Sequence, residues 1–439
     1  MARKQITRDF KFSESGLPER EGTPQILQQH RSRAWKTYQV MDFPSSQDEA
    51  WRRTSLRDLK LEKIHLPNGK TPKLTRREVR GRILADRLLP EENAAVLWPG
   101  NVDVQLSQQT ADQGVIFTDL ISAGREHPQL VEKVLGKVID PQEGKFAAAA
   151  AAFAENGLFL YVPRGVQVAE PLTGLSYTPG AQTANFSQLL IYLEEGASLT
   201  YFHEAHSPDQ KAGQSLTGEN IEIFVGQNAT LKFVDLQTYN EQTWSFGHKK
   251  ALVERDGRLD WVIAAVGSHL CKHFVSVDLV GPGAEGRIAG LFFGGSSQHL
   301  SYNTLQRHLA PRTTSDLLFK GGLTGNSRSV WRGMIYVAPG AQYIDGYQAN
   351  RNLILSDSAR SDSIPGLEIL NNDVRCTHGS TVGKIDQEQL FYLRSRGIPK
   401  PQAEQIVIQG FFEAILSRVD FPGVEERLWE VLEQKITSS

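Results

Sequence analysis

Two cysteines, Cys271 and Cys376, are all the thiol chemistry in this 439-residue sequence, and each lies two residues from a histidine. In an extended segment, residues i and i+2 face the same side, so the Cys376 thiol and the His378 imidazole could point together. That is a soft, iron- or zinc-compatible pair, but only half of a coordination shell. The competing reading is a buried cysteine and a hydrogen-bonded histidine closing the last strand of a repeat. His269, Cys271 and His273 stand at i, i+2 and i+4. On a strand all three would share a face, as a three-ligand site or as a half-exposed polar stripe. His203 and His206, on a strand ending near Ala205, would face opposite sides and make a poor ligand pair.

Other chemistry is excluded by absence. No phosphate-binding G-x-x-x-x-G-K-[ST] and no H-E-x-x-H occurs, no G-x-S-x-G follows a strand, and no G-x-G-x-x-G opens a helix. There is no C-x-x-C, and a stable iron–sulfur cluster normally takes four thiolates, so any cluster here would need ligands from another subunit. Lys+Arg 48 against Asp+Glu 50 gives a net charge of −2, with no global field to attract nucleic acid or an anionic membrane. Two cysteines argue against a disulfide framework and suit a reducing compartment. The charged opening MARKQITRDFKFSESGLPER lacks an apolar signal region, Asp9 and Glu14 speak against a transit peptide, and the alanine stretch near 147–154 is far too short to span a bilayer. A cytoplasmic protein is expected. Trp51-Arg52-Arg53 and Arg76-Arg77…Arg80 read as solvated charged helix faces.

Around these residues the chain divides into three. Residues 1–155 read as largely helical. Thr23-Pro24 starts a helix carrying Ile26, Leu27, Ala34, Trp35 and Tyr38. Ser46-Gln-Asp-Glu49 has the form of a capping box leading into Trp51, and Lys145 to Glu155 is a helix by its alanines. Between about 60 and 120 the pattern is weak and predicts no particular element.

Residues 156–385 change character. A strand–turn–strand unit recurs, with turns at Gly165, Gly196, Asn228, Gly257, Gly283, Arg312 and Gly340, spaced 31, 32, 29, 26, 29 and 28 residues apart. Stacked units of this length predict a mainly β fold, a right-handed parallel β-helix (β-solenoid) core, with Gly, Asn or Asp giving the positive φ of each corner. Leu199, Tyr201 and His203 would face one way, Thr200, Phe202 and Glu204 the other. Helical sequence on either side is placed to cap the two open ends of the stack. Antiparallel hairpins in a sandwich are the alternative, since such turns also make hairpins.

Residues 386–439 are helical again. Asp386 to Gln389 forms a capping box, and Gly397 stands where a helix-terminating glycine belongs. Pro401 opens a helix with Ala403, Ile406, Val407, Gly410, Phe411, Ala414, Ile415 and Val419 at 3, 4 spacing. Pro422 breaks it before a last helix with Val424, Leu428, Val431, Leu432 and Ile436.

Several segments resemble the SufB/SufD family of iron–sulfur cluster assembly scaffolds, over nearly the whole length: EGTPQILQQHRSRAWKTYQ and DEAWRRTSLRDL, then AAAFAENGLFLYVPRGVQVAEPL, and above all SDSIPGLEILNNDVRCTHGSTVGKIDQEQLFYLRSRGI. Gly379 stands where the SufB branch has a glutamate, and Asn350 where that branch has an important cysteine, so the chain is more similar to the SufD branch. The resemblance implies a non-catalytic scaffold that pairs with a SufB-like paralogue through the ends of the two β-helices. A SufC-like ABC ATPase would dock on the C-terminal helices, around Leu393, Arg396, Gly397, Ile398, Ala403, Ile406 and Val407. It also implies a transient iron–sulfur cluster at the paralogue interface, with His378, and less strongly Cys376, placed there, and no stably bound cofactor. The family is associated with reduced flavin, for which no motif is visible. A homodimer is one arrangement open to the chain alone, and the sequence does not decide whether it forms. The rival class is a β-helix polysaccharide lyase or hydrolase, disfavoured by the missing signal peptide and by the lack of stacked acidic positions.

Overall fold

From Ala184 to Lys384, strands of 8 to 11 residues follow one another with only short corners between them. In the computed structural model, which describes residues 9–18, 22–67, 91–178, 180–209, 213–417 and 424–437, successive strands go to opposite sheets. One sheet has ten strands and the other nine. Thr243–Val253 pairs in parallel with Ser215–Val225 on one side and Leu270–Leu279 on the other, so that Glu219, Gly247 and His273 form one column. Consecutive strands do not pair as hairpins here. The repeat is therefore a parallel solenoid of about eight turns rather than an antiparallel sandwich.

The corners show how the chain reverses. Gly165, Gly196, Asn228, Asp256, Gly283, Arg312 and Gly340 all have positive φ. Asp256, not Gly257, holds the left-handed position in the fourth corner. The turn is thus displaced by one residue from the glycine that the sequence suggested. A second series, Gly180, Gly213, Ser268, Ser296 and Gly325, turns the opposite corner.

Leu199 and Tyr201 point between the sheets with Phe233, Trp261, Tyr302 and Phe319. Phe202 points outward into a separate cluster with Val234 and Val262. Both faces of these strands are buried, as in other parallel sheets, because helices cover the outside. Lys145–Phe153 lies wholly buried against Phe186, Leu216 and Phe246. Its six alanines let the helix lie between that sheet and the helix Gln25–Val40, and Phe146 stacks on Phe246 at 3.7 Å. The buried Lys145 ammonium is satisfied by Asp9 at 2.6 Å and by the carbonyls of Tyr38 and Met41. The capping signal at Ser46 becomes a single 3-10 turn, Glu49–Trp51, preceded by Asp48, and Trp51 packs on Phe146 and Phe274.

Helices thus cover sheet faces rather than the ends of the stack, where the sequence placed caps. The first end is closed by strands. Asn101–Gln105 pairs antiparallel with Ala94–Trp98, and Ile116–Asp119 with Gly157–Val162, all but the last within the stretch where the sequence pattern was weak. At the other end, Arg360–Ile369 and Val374–Lys384 are paired on one side only. The basic run Arg76 to Arg80 lies outside the described residues, as do Val419 and Pro422. Among the described residues no helix is long and apolar enough to cross a membrane.

Candidate functional site

The last turn of the solenoid differs from every turn beneath it. Its two strands are exposed or half-exposed along their whole length, while the column below, Gly346, Gln348, Asn350 and Asn352, is buried. Cys376 stacks on Gly346, His378 on Gln348, Ser380 on Asn350 and Val382 on Asn352. Gln348 in turn lies above Leu317, and Asn350 above Phe319, which belong to the interior core. Register alone therefore aims Cys376 and His378 into the lumen between the sheets, at the level where the lumen opens.

The two side chains differ in environment. Cys376 is half-buried against Ile335, Val337 and Ile344, with its Sγ 3.2 Å from where a Cβ on Gly346 would stand. Burial raises its thiol above the ordinary value, so it is protonated in this state. His378 is exposed. Among the described residues no group of three or more His, Cys, Asp or Glu is arranged to hold a metal ion. A soft donor pair on an edge, with no third ligand from its own chain, can complete a shell only with groups from outside.

Around the pair runs an apolar rim that the sequence analysis did not single out. Leu367 and Ile369 are 37% exposed, Leu370 50% and Val382 49%. Two bare sheet edges with apolar side chains between them are a template for further strand pairing. The alternating apolar residues of SIPGLEIL were the available signal, but they read equally well as a buried strand.

The other histidines serve the interior. Cys271 and His273 point inward. Cys271 lies 3.5 Å from Tyr302 Oη and is pushed up to about 12 by burial. His273 Nε2 lies 3.0 Å from Ser245 Oγ and is held neutral by burial. His269 precedes the strand and packs on Trp244 at the corner. His203 is buried between Ser176 and Tyr201, while His206 is half-buried beside Thr238.

The C-terminal helices Gln387–Ser395 and Lys400–Leu416 make a second exposed surface. Ile408, Phe412, Ile415 and Leu416 pack on the outer sheet face, so the buried stripe differs from the one the 3, 4 spacing suggested. Ile406, Gly410 and Ala414 are exposed and Val407 half-exposed. Phe391 and Tyr392 are 75% and 59% exposed. Tyr392, with Leu393, Ile406 and Phe411, borders a groove of about 770 Å³. Arg396 and Gly397 are exposed, Ile398 half-exposed, and Ala403 fully buried.

Comparison with known proteins agrees with this architecture. Residues 176–411 match the family described as SUF system FeS cluster assembly, SufBD core domain, and residues 93–173 the SufBD protein N-terminal region. The chain is 31% identical over 335 residues to the iron–sulfur cluster assembly protein SufD of Bacillus subtilis, covering 76% of each. It is 30% identical over 301 residues to SufB of the same organism, covering 69% of this chain and 64% of that one. A SufBD family protein of Staphylococcus saprophyticus is 30% identical over 308 residues, or 70% of this chain and 66% of the relative. The polysaccharide lyase alternative is left without a supporting observation. The chain belongs to the SufBD family of SUF-system iron–sulfur cluster assembly proteins.

Proposed function

We propose that this chain is a SufD-type, non-catalytic scaffold that pairs with a SufB-like paralogue through the open end of its solenoid. A SufC-like ATPase docks on its C-terminal helices. The observation that carries this reading is the asymmetry of the two ends. The edge strands at one are antiparallel and only five and four residues long, while those at the other are parallel, ten and eleven residues long, and exposed or half-exposed throughout. A partner that continued both sheets would bury Leu367, Ile369 and Val382 and bring its own ligands to His378 and Cys376. The nascent iron–sulfur cluster is then the cargo of the interface, held transiently and by both subunits. Asn350 and Gly379 support the SufD rather than the SufB assignment. Asn350 is buried in the lumen, accepting from Asn352 at 2.6 Å, and Gly379 has open space where a side chain would stand. Leu393, Arg396, Gly397, Ile398, Ile406 and Val407 form the ATPase-docking surface, with Ala403 beneath it. The protein works in the cytoplasm.

Co-expression with SufB-like and SufC-like partners, anaerobic purification and a mass measurement test the proposal. The expected complex holds one copy of this chain, one SufB and two SufC. His378→Ala is expected to assemble normally and to yield complex without a cluster absorbance. A wild-type chain that purifies alone and never binds SufC defeats the reading.

A further inference from the structure

The lumen near the closed end of the solenoid holds a cluster of charge that cluster assembly at the open end does not use. Lys249 Nζ lies 2.6 Å from Asp235 Oδ2 and 3.1 Å from Glu219 Oε2, and His203 Nε2 lies 3.7 Å from Glu219 Oε1. All four side chains are buried. The groups facing them are Tyr201 from the same sheet as His203, Cys271 and His273 from the opposite sheet, and Tyr239 at the corner. Burial holds the thiol, the phenols and both histidines neutral, His203 falling to about 4. With Lys249 as the one cation among the described residues of this cluster, two ionised carboxylates would leave a net buried charge of −1, which costs several kcal/mol in a dry core. One proton on the carboxylate pair removes it. Asp235 Oδ1 has no hydrogen-bond partner among the described residues, and burial raises the Asp235 carboxyl while Lys249 opposes that rise.

A route from this cluster leads outward. Ser176 Oγ lies 3.0 Å from His203 Nε2, and Tyr201 Oη 3.0 Å from Nδ1. Ser176 also lines a cavity of about 40 Å³ at the closed end, bordered by Trp98, Tyr177, Ser187 and Tyr239. Trp98 Nε1 and Tyr177 Oη are buried there without partners among the described residues. The donor-only indole requires a guest that accepts, and the phenol is satisfied by donating to that guest or accepting from it, so water serves both. The volume suits on the order of two or three waters, at roughly 10–15 Å³ of such space each.

We propose that the lumen cluster is a proton store, filled through water in this cavity and the Ser176–His203 relay. In the filling step a cavity water gives a proton to Ser176 Oγ as Ser176 passes its own to His203 Nε2. Once the 3.7 Å gap between this nitrogen and Glu219 Oε1 closes to hydrogen-bond distance, the proton passes to Glu219, while Lys249 gives one to Asp235 and takes the one on Glu219. Bulk solvent reprotonates the hydroxide left in the cavity, and the reverse sequence empties the store.

Infrared spectroscopy of the full chain at pH 7 tests this. Burial raises the Glu222 carboxyl to about 7, so the measurement is made in a Glu222→Gln background; there a protonated carboxyl band is expected, and it is lost on adding Asp235→Asn or Glu219→Gln. On transfer to D2O the band is expected to shift at least tenfold more slowly in Ser176→Ala, with Ser176→Thr restoring the rate. Absence of the band, or its survival in both Asp235→Asn and Glu219→Gln, overturns the store. An unchanged exchange rate in folded Ser176→Ala overturns the relay. If Ser176→Ala does not fold, Tyr177→Phe, which strips a polar group from the cavity, is expected to slow exchange, and an unchanged rate there overturns the inlet.

Discussion

Residue types in this chain mislead until their surroundings are known. Four histidines and one cysteine are buried and two further histidines, His30 and His299, are half-buried, and the chemistry of all is suppressed by desolvation. His203 and His308 fall to about 4, and His248 and His299 to about 3. Each has a folded-state pKa below its unfolded value of about 6.5, so the folded state favours the neutral ring. Their contribution to stability is present above pH ~6.5 and is lost as pH falls toward 4. A tenfold drop in proton affinity on folding corresponds to about 1.4 kcal/mol, so His203 alone accounts for on the order of 3 kcal/mol. The melting temperature is therefore expected to fall steeply between pH 6.5 and 4.5, more than in a variant with His203→Gln. A flat profile over that range contradicts the buried-neutral assignment. His378 and Cys376, by contrast, keep access to solvent or to a partner only because their turn is the last.

At the scale of elements, one helix carries two apolar faces with different tasks. Phe412 is fully buried, in contact with Phe293 and Phe411 on the outside of the sheet. Phe412→Ala is expected to cost about 3–5 kcal/mol in denaturant unfolding, the usual loss for a large aromatic in a packed core. Ile406 on the opposite face is 43% exposed. Ile406→Asp is expected to leave the melting temperature within about 2 °C of wild type, as surface changes do, while abolishing SufC capture in a pull-down. Equal destabilisation by both substitutions removes the distinction between the faces. Reading the 3, 4 spacing alone could not separate them, because nearly every position of IVIQGFFEAIL except Gln409 and Glu413 is apolar or small.

For the whole molecule, the decisive feature is that the solenoid ends in short antiparallel strands on one side and in two long, exposed parallel strands on the other. Stacking turns buries each behind the next, so an end must be paired, covered or left as an interface. Leu367→Lys with Val382→Lys puts two charges on the bare rim. The doubly substituted chain is expected to fold and to bind SufC but to remain unpaired with SufB in size-exclusion chromatography. Retained pairing places the SufB contact elsewhere.

The local physics of the chain settles much of this without a structure. Turn residues every 26 to 32 positions need left-handed corners, and the β-rich runs between them point to a stacked parallel solenoid, with antiparallel hairpins as the alternative that only strand pairing removes. The alanines of Lys145–Phe153 announce a helix, and the Cys376-Thr-His378 spacing puts two soft donors on one face of a strand. Tertiary structure decided what spacing leaves open. Whether Cys376 and His378 are sealed in a core or stand at an opening depends on a further turn being absent above them. Whether His273 is a ligand or a core side chain depends on Ser245 and Tyr302, both about 30 residues distant in sequence. Ala94–Trp98 and Ile116–Asp119 were hidden because their partners, Leu172–Tyr177 and Gly157–Val162, lie far along the chain, while Asn101–Gln105 pairs only with its neighbour Ala94–Trp98. Periodicity records which way a side chain points; only the packed neighbours determine what it meets there.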